Sequence, residues 1–340
     1  MVVRRWSPVA LVIAGLLSLL ISTPWAQAAN GSVVCRLSDP RLSEISGLAP
    51  SIQHPGVLWL HNDSGGGPRL YAIRIADCRV IATLTLIGAP ARDFEAIASG
   101  RDAQGRAMLW VGDIGDNRDS WSEVSILAVP EPARLRDRAV RFQALRFTYP
   151  DMPHDAETLL AGPGGRLWVV TKQLADGGFY ALPDVWPKGV AVAERVGSAG
   201  PLVTDGAMSP DGRHFVLRDY VDVRVFAGSP PGNLLTKAEL PAQVQGEAVA
   251  WSVDGSTLFL ASEADDRLLE FPVPETSASI PASKPVPSGR PDVAAIAPLE
   301  AQEVAVSGAS WAGLAVLLAL VIVIVATEWG RRRSRRRSHP

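Results

Sequence analysis

The stretch RDFEAIASGRDAQGRAMLWVGDIGDN, residues Arg92–Asn117, contains a pattern that the rest of the chain repeats. Glu95 opens a short apolar run, a turn with glycine follows, and a second apolar run occupies Met108–Val111. That second run leads into a polar cluster made of Asp113, Asp116 and Asn117. Shortened copies of the pattern occur at four other places in the chain. A repeat of about 40 to 50 residues is typical of propellers and solenoids.

Each repeat begins with an acidic residue that we term the opener, and successive openers lie 51, 62, 48 and 42 residues apart. The five openers are Glu44, Glu95, Glu157, Asp205 and Glu247. Each unit contains three or four β-type runs, and no helical pattern of useful length occurs between residues 31 and 275. Four antiparallel strands per unit around an axis form a β-propeller. The sequence therefore predicts an all-β fold with five blades, or six if the long second unit hides a divergent blade.

The last repeat is one strand short, and an N-terminal segment can supply it. Gly31–Asp39 is a short β-branched run with turn residues at both ends, which predicts a single strand. Paired with the last blade, this strand would close the ring and bring Cys35 close to Cys78, which precedes the last strand of the first blade. A disulfide there would stabilise the closure by roughly 2 to 4 kcal/mol. Two free buried thiols are the alternative.

The two ends of the chain read as export and membrane segments. Met1–Ala29 has two arginines, an apolar run and an Ala-Gln-Ala site, which predicts a cleaved signal peptide; an uncleaved anchor is the alternative. Residues 304–327 carry no charge, which suits a transmembrane helix. The Arg331–Arg337 run behind it predicts a cytoplasmic tail. The predicted segments are a signal peptide (1–29), a propeller (30–272), a Pro-, Ala- and Ser-rich stalk (273–309), a helix (310–329) and a basic tail (330–340).

These segments predict a single-pass protein of the cell membrane, with the propeller outside and the lipid bilayer as a partner of the C-terminal helix. Removing the arginines of both ends and Glu328 leaves 25 basic and 34 acidic residues, a net charge of −9 for the exported part. Such a charge disfavours nucleic acids and other polyanions as ligands and suits bound cations.

The openers and the ends of the second strands should meet at the mouth of the central channel, because both lie on the same face of a propeller. Five carboxylates around a narrow channel repel one another unless a cation, a base or shared protons compensate, and oxygen ligands of this type suit Ca²⁺ or another divalent cation. The candidate metal ligands are Glu44, Glu95, Glu157, Asp205, Glu247, Asn62, Asp113, Asp116 and Asn117. The alternative is structural: an opener can accept backbone N–H groups of the next blade.

Four residues of the same region could act on a substrate. His61 could serve as a general base beside Asp63, although Asn-Asp-Ser-Gly is also an ordinary turn sequence. Lys172 is one of only four lysines against 29 arginines, and with Arg218 it could hold a ligand's carboxylate or phosphate or simply neutralise the acidic ring. The sequence contains no Gly-x-Ser-x-Gly elbow, zinc motif or phosphate loop.

Several segments resemble exported bacterial propeller proteins that are mostly uncharacterised and distantly similar to the esterase-like, phytase-like and regucalcin-like propellers. These segments are HNDSGG at His61, GDIGDN at Gly112, HDAETLL at His154, LWVVTK at Leu167, SPDG at Ser209 and QGEAVAW at Gln245, within residues 40 to 272. The resemblance implies a metal ion at the channel mouth, held by the openers and by the Asn62/Asp63 and Asp116/Asn117 pairs. The chain departs from these relatives in blade number and lacks their full set of metal ligands, so their lactonase or phosphatase activity does not carry over.

Two functions from different classes fit these observations. The first is a binding or scaffolding module at the cell surface, with a cation at the channel mouth. The second is a metal-dependent hydrolase of esterase, lactonase or phosphatase type, acting on a small compound. Fold alone does not decide between them, so the sequence leaves open whether the protein is an enzyme.

Overall fold

A computed structural model describes residues 31–63 and 66–275. The predicted signal peptide, transmembrane helix and basic tail lie outside these residues, as does the stalk beyond residue 275. Within the described ranges, no helix is long and apolar enough to cross a membrane.

The described chain forms five sheets, which are the five predicted blades; they are antiparallel except for one added parallel strand in each of two sheets. Blade 1 contains, from the inside outward, β2 (Ile45–Pro50), β3 (Val57–Asn62), β4 (Arg69–Arg74), β5 (Val80–Leu86) and β9 (Arg138–Val140). Blade 2 contains β6 (Phe94–Arg101), β7 (Ala107–Asp113), β8 (Val124–Pro130), β10 (Gln143–Thr148) and β14 (Ala191–Val192). Blade 3 contains β11 (Ala156–Ala161), β12 (Leu167–Thr171), β13 (Gly177–Ala181) and β15 (Glu194–Gly200).

Blade 4 contains β16 (Asp205–Met208), β17 (His214–Arg218), β18 (Asp222–Ala227) and β19 (Asn233–Glu239). Blade 5 contains β20 (Gln245–Trp251), β21 (Thr257–Glu263), β22 (Asp265–Pro272) and, at its outer edge, β1 (Ser32–Arg36). A single 3-10 turn at Pro163–Gly165 is the only helical element among the described residues.

The inner strands β2, β6, β11, β16 and β20 each contact the next around a closed ring. Apolar side chains fill the spaces between blades because each strand alternates its side chains between two sheet faces, and both faces of a blade are covered by neighbours. Leu48 and Tyr71 of blade 1, for example, share one core cluster with Ala248 and Phe259 of blade 5. The five-bladed propeller predicted from the repeats is confirmed.

The closure of the ring also follows the prediction. β1 pairs antiparallel with β22, so that Val33 lies opposite Leu269. Cys35 of this strand forms a disulfide with Cys78, which precedes β5 of blade 1, at a Cα–Cα distance of 5.7 Å. The disulfide therefore joins the closing strand to the next blade.

Two strands pair with a blade other than the one that the rest of their repeat forms. β9 belongs to the second repeat but pairs in parallel with β5 of blade 1, with Ala139 opposite Thr85. β14, from the third repeat, pairs in parallel with β10 of blade 2. The extra length of the second repeat thus extends blade 1.

Candidate functional site

The channel mouth is formed where the inner strands begin and the second strands end. In three blades a β-bulge lies at the opener, since the register shifts at Glu95 in β6, at Glu157 in β11 and at Glu247 in β20. In β2 the same shift falls at Ser46. A bulge adds a residue to one strand and re-aims its side chain, so these four side chains hold equivalent positions around the mouth.

Glu44 therefore differs from Glu95, Glu157 and Glu247. The structure gives Ser46, not Glu44, the position of Glu95. Glu44 instead corresponds to Asp93 and Asp155, each two residues before a bulge. Their backbone carbonyls have similar roles, because the Glu44 carbonyl accepts the N–H of Asp63 (2.9 Å) and the Asp155 carbonyl accepts the N–H of Lys172 (2.9 Å).

Asp63, Asp93 and Glu95 come together at the junction of blades 1 and 2, and we term them the acidic triad. Each contributes one carboxylate oxygen, and these oxygens lie within 4.8 Å of one another. Glu95 Oε2 accepts the Ser46 hydroxyl (3.1 Å), and Asp93 Oδ2 accepts Asn117 Nδ2 (3.4 Å). Oxygen atoms at this spacing can surround a hard cation.

The electrostatics of the mouth favour protons or a cation. Burial, together with Asp93, Glu247 and Glu263, raises the pKa of Asp63 to about 8. Burial also raises the pKa of Glu95 well above its usual value, with further contributions from Glu157 and Asp63. Burial raises the pKa of Glu247 to about 7. Desolvation and like charges both disfavour the ionised carboxylates, so positive charge placed among them is stabilised.

Lys172 follows the second strand of blade 3, the blade next to blade 2 in the ring. Its ammonium group forms an ion pair with Glu157 Oε1 and lies 5.4 Å from the ring centroid of Tyr220. Burial alone would lower the pKa of Lys172, but the Glu157 carboxylate raises it well above its usual value, so Lys172 is a cation and not a neutral amine. The second oxygen of Glu157, Oε2, is buried without a hydrogen-bond partner among the described residues.

Asp205 and Arg218 join blade 4 to blade 5. Asp205 accepts the backbone N–H groups of Gly206 and Val249, both at 2.7 Å. The fully buried Arg218 donates Nη1 to the carbonyl of Ala248 at 3.0 Å, and burial lowers its pKa to about 10. Both side chains are engaged by backbone atoms, which is the structural role considered for the openers.

Gln245 and Glu247 both lie on β20 of blade 5, two residues apart. Gln245 donates Nε2 to Glu247 Oε1 (2.6 Å) and to Glu263 Oε2. Glu247 and Glu263 are both buried and lie on the mouth side of the blade. One amide thus bridges two carboxylates that would otherwise repel each other.

Asp113 and Asp116 mainly order the backbone of the loop that follows β7. Asp113 Oδ1 accepts the N–H of Asp93 (2.9 Å), and Asp116 Oδ2 accepts the N–H groups of Ser120 (2.5 Å) and Trp121 (2.6 Å). Asn117 is exposed and contacts the triad only through Asp93.

The first-blade residues His61 and Asn62 occupy the interior. His61 is fully buried, its Nδ1 lies 3.2 Å from the Asn62 carbonyl, and its ring lies edge-on to Phe94. Burial lowers the pKa of His61 to about 4, so the ring is neutral at pH 7. Asn62 donates Nδ2 to the carbonyl of Arg41 (2.7 Å). Among the described residues, neither side chain forms a hydrogen bond with the triad. The general-base role of His61 stays a prediction.

The sequence reading missed three mouth residues: Asp93, Asp155 and Ser46. Burial raises the pKa of Asp155 to about 6, and Asp155 Oδ1 accepts the N–H of Asp116 at 2.9 Å. A local signal was available, because Asp93-Phe94-Glu95 and Asp155-Ala156-Glu157 share an acid–apolar–acid order. Alternation along a strand places the first and third residues of such a triplet on the same side.

No protein-family model and no curated protein matches the chain. A crystal structure of the mitotic checkpoint complex aligns with a TM-score of 0.36 and 18% identity over 67% of this chain and 61% of that one. The PQQ-bound aldose sugar dehydrogenase of Streptomyces coelicolor aligns with a TM-score of 0.41 and 14% identity over 72% and 98% of the two chains. The Cps50 (Swd1) β-propeller domain of Myceliophteria thermophila aligns with a TM-score of 0.39 and 12% identity over 68% and 84%. Such distant likenesses concern the fold and carry no argument about activity, and the resemblance to exported bacterial propellers stays a prediction.

Proposed function

We propose that the protein is an extracytoplasmic binding module that holds a divalent cation, with Ca²⁺ as the leading candidate, at the mouth of its propeller channel. The observation that carries this proposal is the convergence of carboxylate oxygens from Asp63, Asp93 and Glu95 within 4.8 Å. Ca²⁺ takes six to eight oxygen ligands in flexible geometry, and its sites are built mainly from carboxylates and carbonyls. The membrane anchor and the cell-surface location are part of this proposal and come from the sequence.

The triad differs from the structural carboxylates of the same face. Asp113, Asp116 and Asp205 accept backbone N–H groups, which tie these side chains to the fold. Among the described residues, the hydrogen bonds of Glu95 and Asp93 run to side chains instead, with Ser46 contacting Glu95 and Asn117 contacting Asp93. A carboxylate cluster held by side chains can exchange those partners for a metal ion without disrupting a strand.

The remainder of the mouth suits a ligand that approaches the cation. Lys172 of the neighbouring blade 3 keeps a positive charge at the mouth, and Tyr220 lies beside it. A cation at the triad and the ammonium of Lys172 would together attract an anionic group. We therefore assign the mouth a binding role, with the cation as a fixed part of the site.

Thermal unfolding of the full-length chain tests the proposal, with EDTA or with Ca²⁺ present. At a Ca²⁺ concentration of about 100 times Kd, binding adds about 2.7 kcal/mol to the free energy of unfolding. For a domain of this size that corresponds to a rise of roughly 5 to 10 °C in Tm. In Asp93→Asn we expect this rise to disappear, because a carboxylate ligand is lost.

The same variant separates a ligand from a structural acid. With EDTA, Asp93→Asn should melt at or above the wild type, because it removes a like charge from the triad. With Ca²⁺, the wild type should become the more stable protein. Asp184→Asn is the matched control, since Asp184 is exposed and pairs only with the exposed Arg166. If Ca²⁺ leaves the wild-type Tm unchanged, or if Asp93→Asn lowers Tm equally in both conditions, the proposal is wrong.

A further inference from the structure

A cavity lined mainly by polar residues lies on blade 1, and its lining residues are different from those of the channel mouth. It has a volume of about 440 Å³ and we term it the arginine pocket. Its walls come from the outer strands of the blade and from the segment that precedes β2. The lining residues are Arg41, Arg69, Tyr71, Thr83, Thr85, Asp137 and Arg138.

The strand register brings the floor of the pocket together. β4 and β5 are antiparallel, with Arg69 opposite Thr85 and Tyr71 opposite Thr83. Opposed residues share a sheet face, and so do residues two apart on one strand. These four side chains therefore lie on one face of the blade. Arg138 enters because β9 crosses from the second repeat to the edge of blade 1.

Arg41 is held in a fixed orientation over this floor. Its Nε and Nη2 bond to Asp39 at 2.9 and 2.6 Å, and its Nη1 bonds to Thr83 Oγ1 at 3.3 Å. The guanidinium lies 5.8 Å from the ring centroid of Tyr71. Asp39 compensates the charge of Arg41, but the guanidinium still forms one rigid wall of donors.

The other two arginines have no acidic partner among the described residues. Arg69 donates Nη1 to the backbone carbonyl of Gly66 at 2.5 Å, which orients the side chain without neutralising it. No hydrogen bond or ion pair engages the guanidinium of Arg138 within the described chain. The one carboxylate in the wall, Asp137, already accepts the N–H of Thr83 at 2.8 Å. With Asp39 and Asp137 counted, the three arginines leave a net charge of +1 at the pocket, on a protein whose exported part is acidic.

We propose that the arginine pocket binds a tetrahedral oxyanion, a phosphate or sulfate group carried by a small ligand. Guanidinium groups present planar N–H forks that match the oxygen atoms of phosphate and carboxylate groups. Three guanidinium groups on separate backbone segments can engage three terminal oxygens, whereas a carboxylate offers only two. The exported part has a net charge of −9, which disfavours long polyanions, so the ligand carries one such group and not a chain of them.

Equilibrium dialysis of the full-length chain against radiolabelled inorganic phosphate, at constant ionic strength, tests this proposal. We expect saturable binding of one phosphate per chain. Arg138→Gln should weaken binding by about 10-fold or more, because a hydrogen bond to a charged group is lost. Arg136→Gln is the matched control: it removes the same charge from an exposed position two residues away that does not line the pocket. It should change the affinity by less than about twofold, since solvent and salt screen exposed charges.

Competition by unlabelled anions tests the chemical class. Sulfate should displace the labelled phosphate, and acetate at the same concentration should not. Glycerol phosphate should compete as well as inorganic phosphate if the physiological ligand is a phosphate ester. The proposal is overturned if the wild type shows no saturable binding, if the two arginine variants lose affinity equally, or if acetate competes as well as sulfate.

Discussion

Carboxylates of this protein have two different roles, and their hydrogen-bond partners distinguish them. Asp93 and Glu95 of the triad contact side chains. Glu131, at the end of β8, is also buried, but both of its oxygens accept donors from the loop that follows β2. Residue type and burial alone would not distinguish Glu131 from the carboxylates of the triad. Glu131 is structural because two backbone N–H groups and the side chains of Ser51 and Trp59 together engage both of its oxygens, whereas the triad is a candidate ligand set.

Glu131→Ala should destabilise the fold without affecting the mouth. The carboxylate accepts the N–H groups of Ile52 and Gln53 at 3.1 Å and the indole N–H of Trp59 at 2.8 Å. Removing it leaves several buried donors unpaired, which costs about 3 kcal/mol. Urea unfolding measures the loss, and Glu239→Ala, at an exposed position, should change stability by less than about 0.5 kcal/mol. An unchanged midpoint for Glu131→Ala would contradict the structural role.

At the scale of strands and blades, the sequence predicted some features of the fold and missed others. The repeat of acid, apolar run, turn and apolar run predicted the blades because each blade buries two faces and repeats the same alternation. The closing strand followed from counting strands, since the last repeat lacked one. The parallel addition of β9 to blade 1 could not be predicted in this way, because pairing between distant segments depends on packing and not on local pattern.

The β-bulge at Ser46 could not be predicted from the sequence either. Because Glu44 is the acidic residue of the first repeat, the sequence predicts that it is equivalent to Glu95. The β-bulge in β2 places Ser46 there instead. A bulge changes which residue faces the channel without changing composition. The acid–apolar–acid order of the second and third repeats was visible, and it would have identified Asp93 and Asp155.

The disulfide is the element that fixes the closing strand to the ring. Cys35 lies on β1 at the outer edge of blade 5, and Cys78 precedes β5 in blade 1. Replacing both by serine should lower the free energy of unfolding by roughly 2 to 4 kcal/mol, because the unfolded chain regains the freedom of the closed loop. Chemical denaturation of the double variant and of the wild type, both without reductant, measures the difference. Equal stabilities would contradict a stabilising closure.

At the scale of the whole molecule, the two entrances of the channel differ in chemistry. The mouth is acidic and contains Lys172 and Arg218 as the cations of its inner face. The opposite entrance holds a cavity of about 640 Å³, lined largely by small and apolar residues at the far ends of the inner strands, such as Ala49, Ala161 and Trp251. Carboxylates with raised pKa values, among them Asp63, Glu95, Asp155 and Glu247, lie at the mouth, which is where a propeller of this charge would hold a cation.

The measurement that tests the central claim most directly is an anomalous-difference map of the crystallised protein with Ca²⁺ bound. Our account predicts one strong peak at the junction of blades 1 and 2, with oxygen atoms of Asp63, Asp93 and Glu95 at about 2.3 to 2.6 Å from it. A map without a peak at the triad, or with its peak on Asp113 and Asp116 instead, would contradict the account.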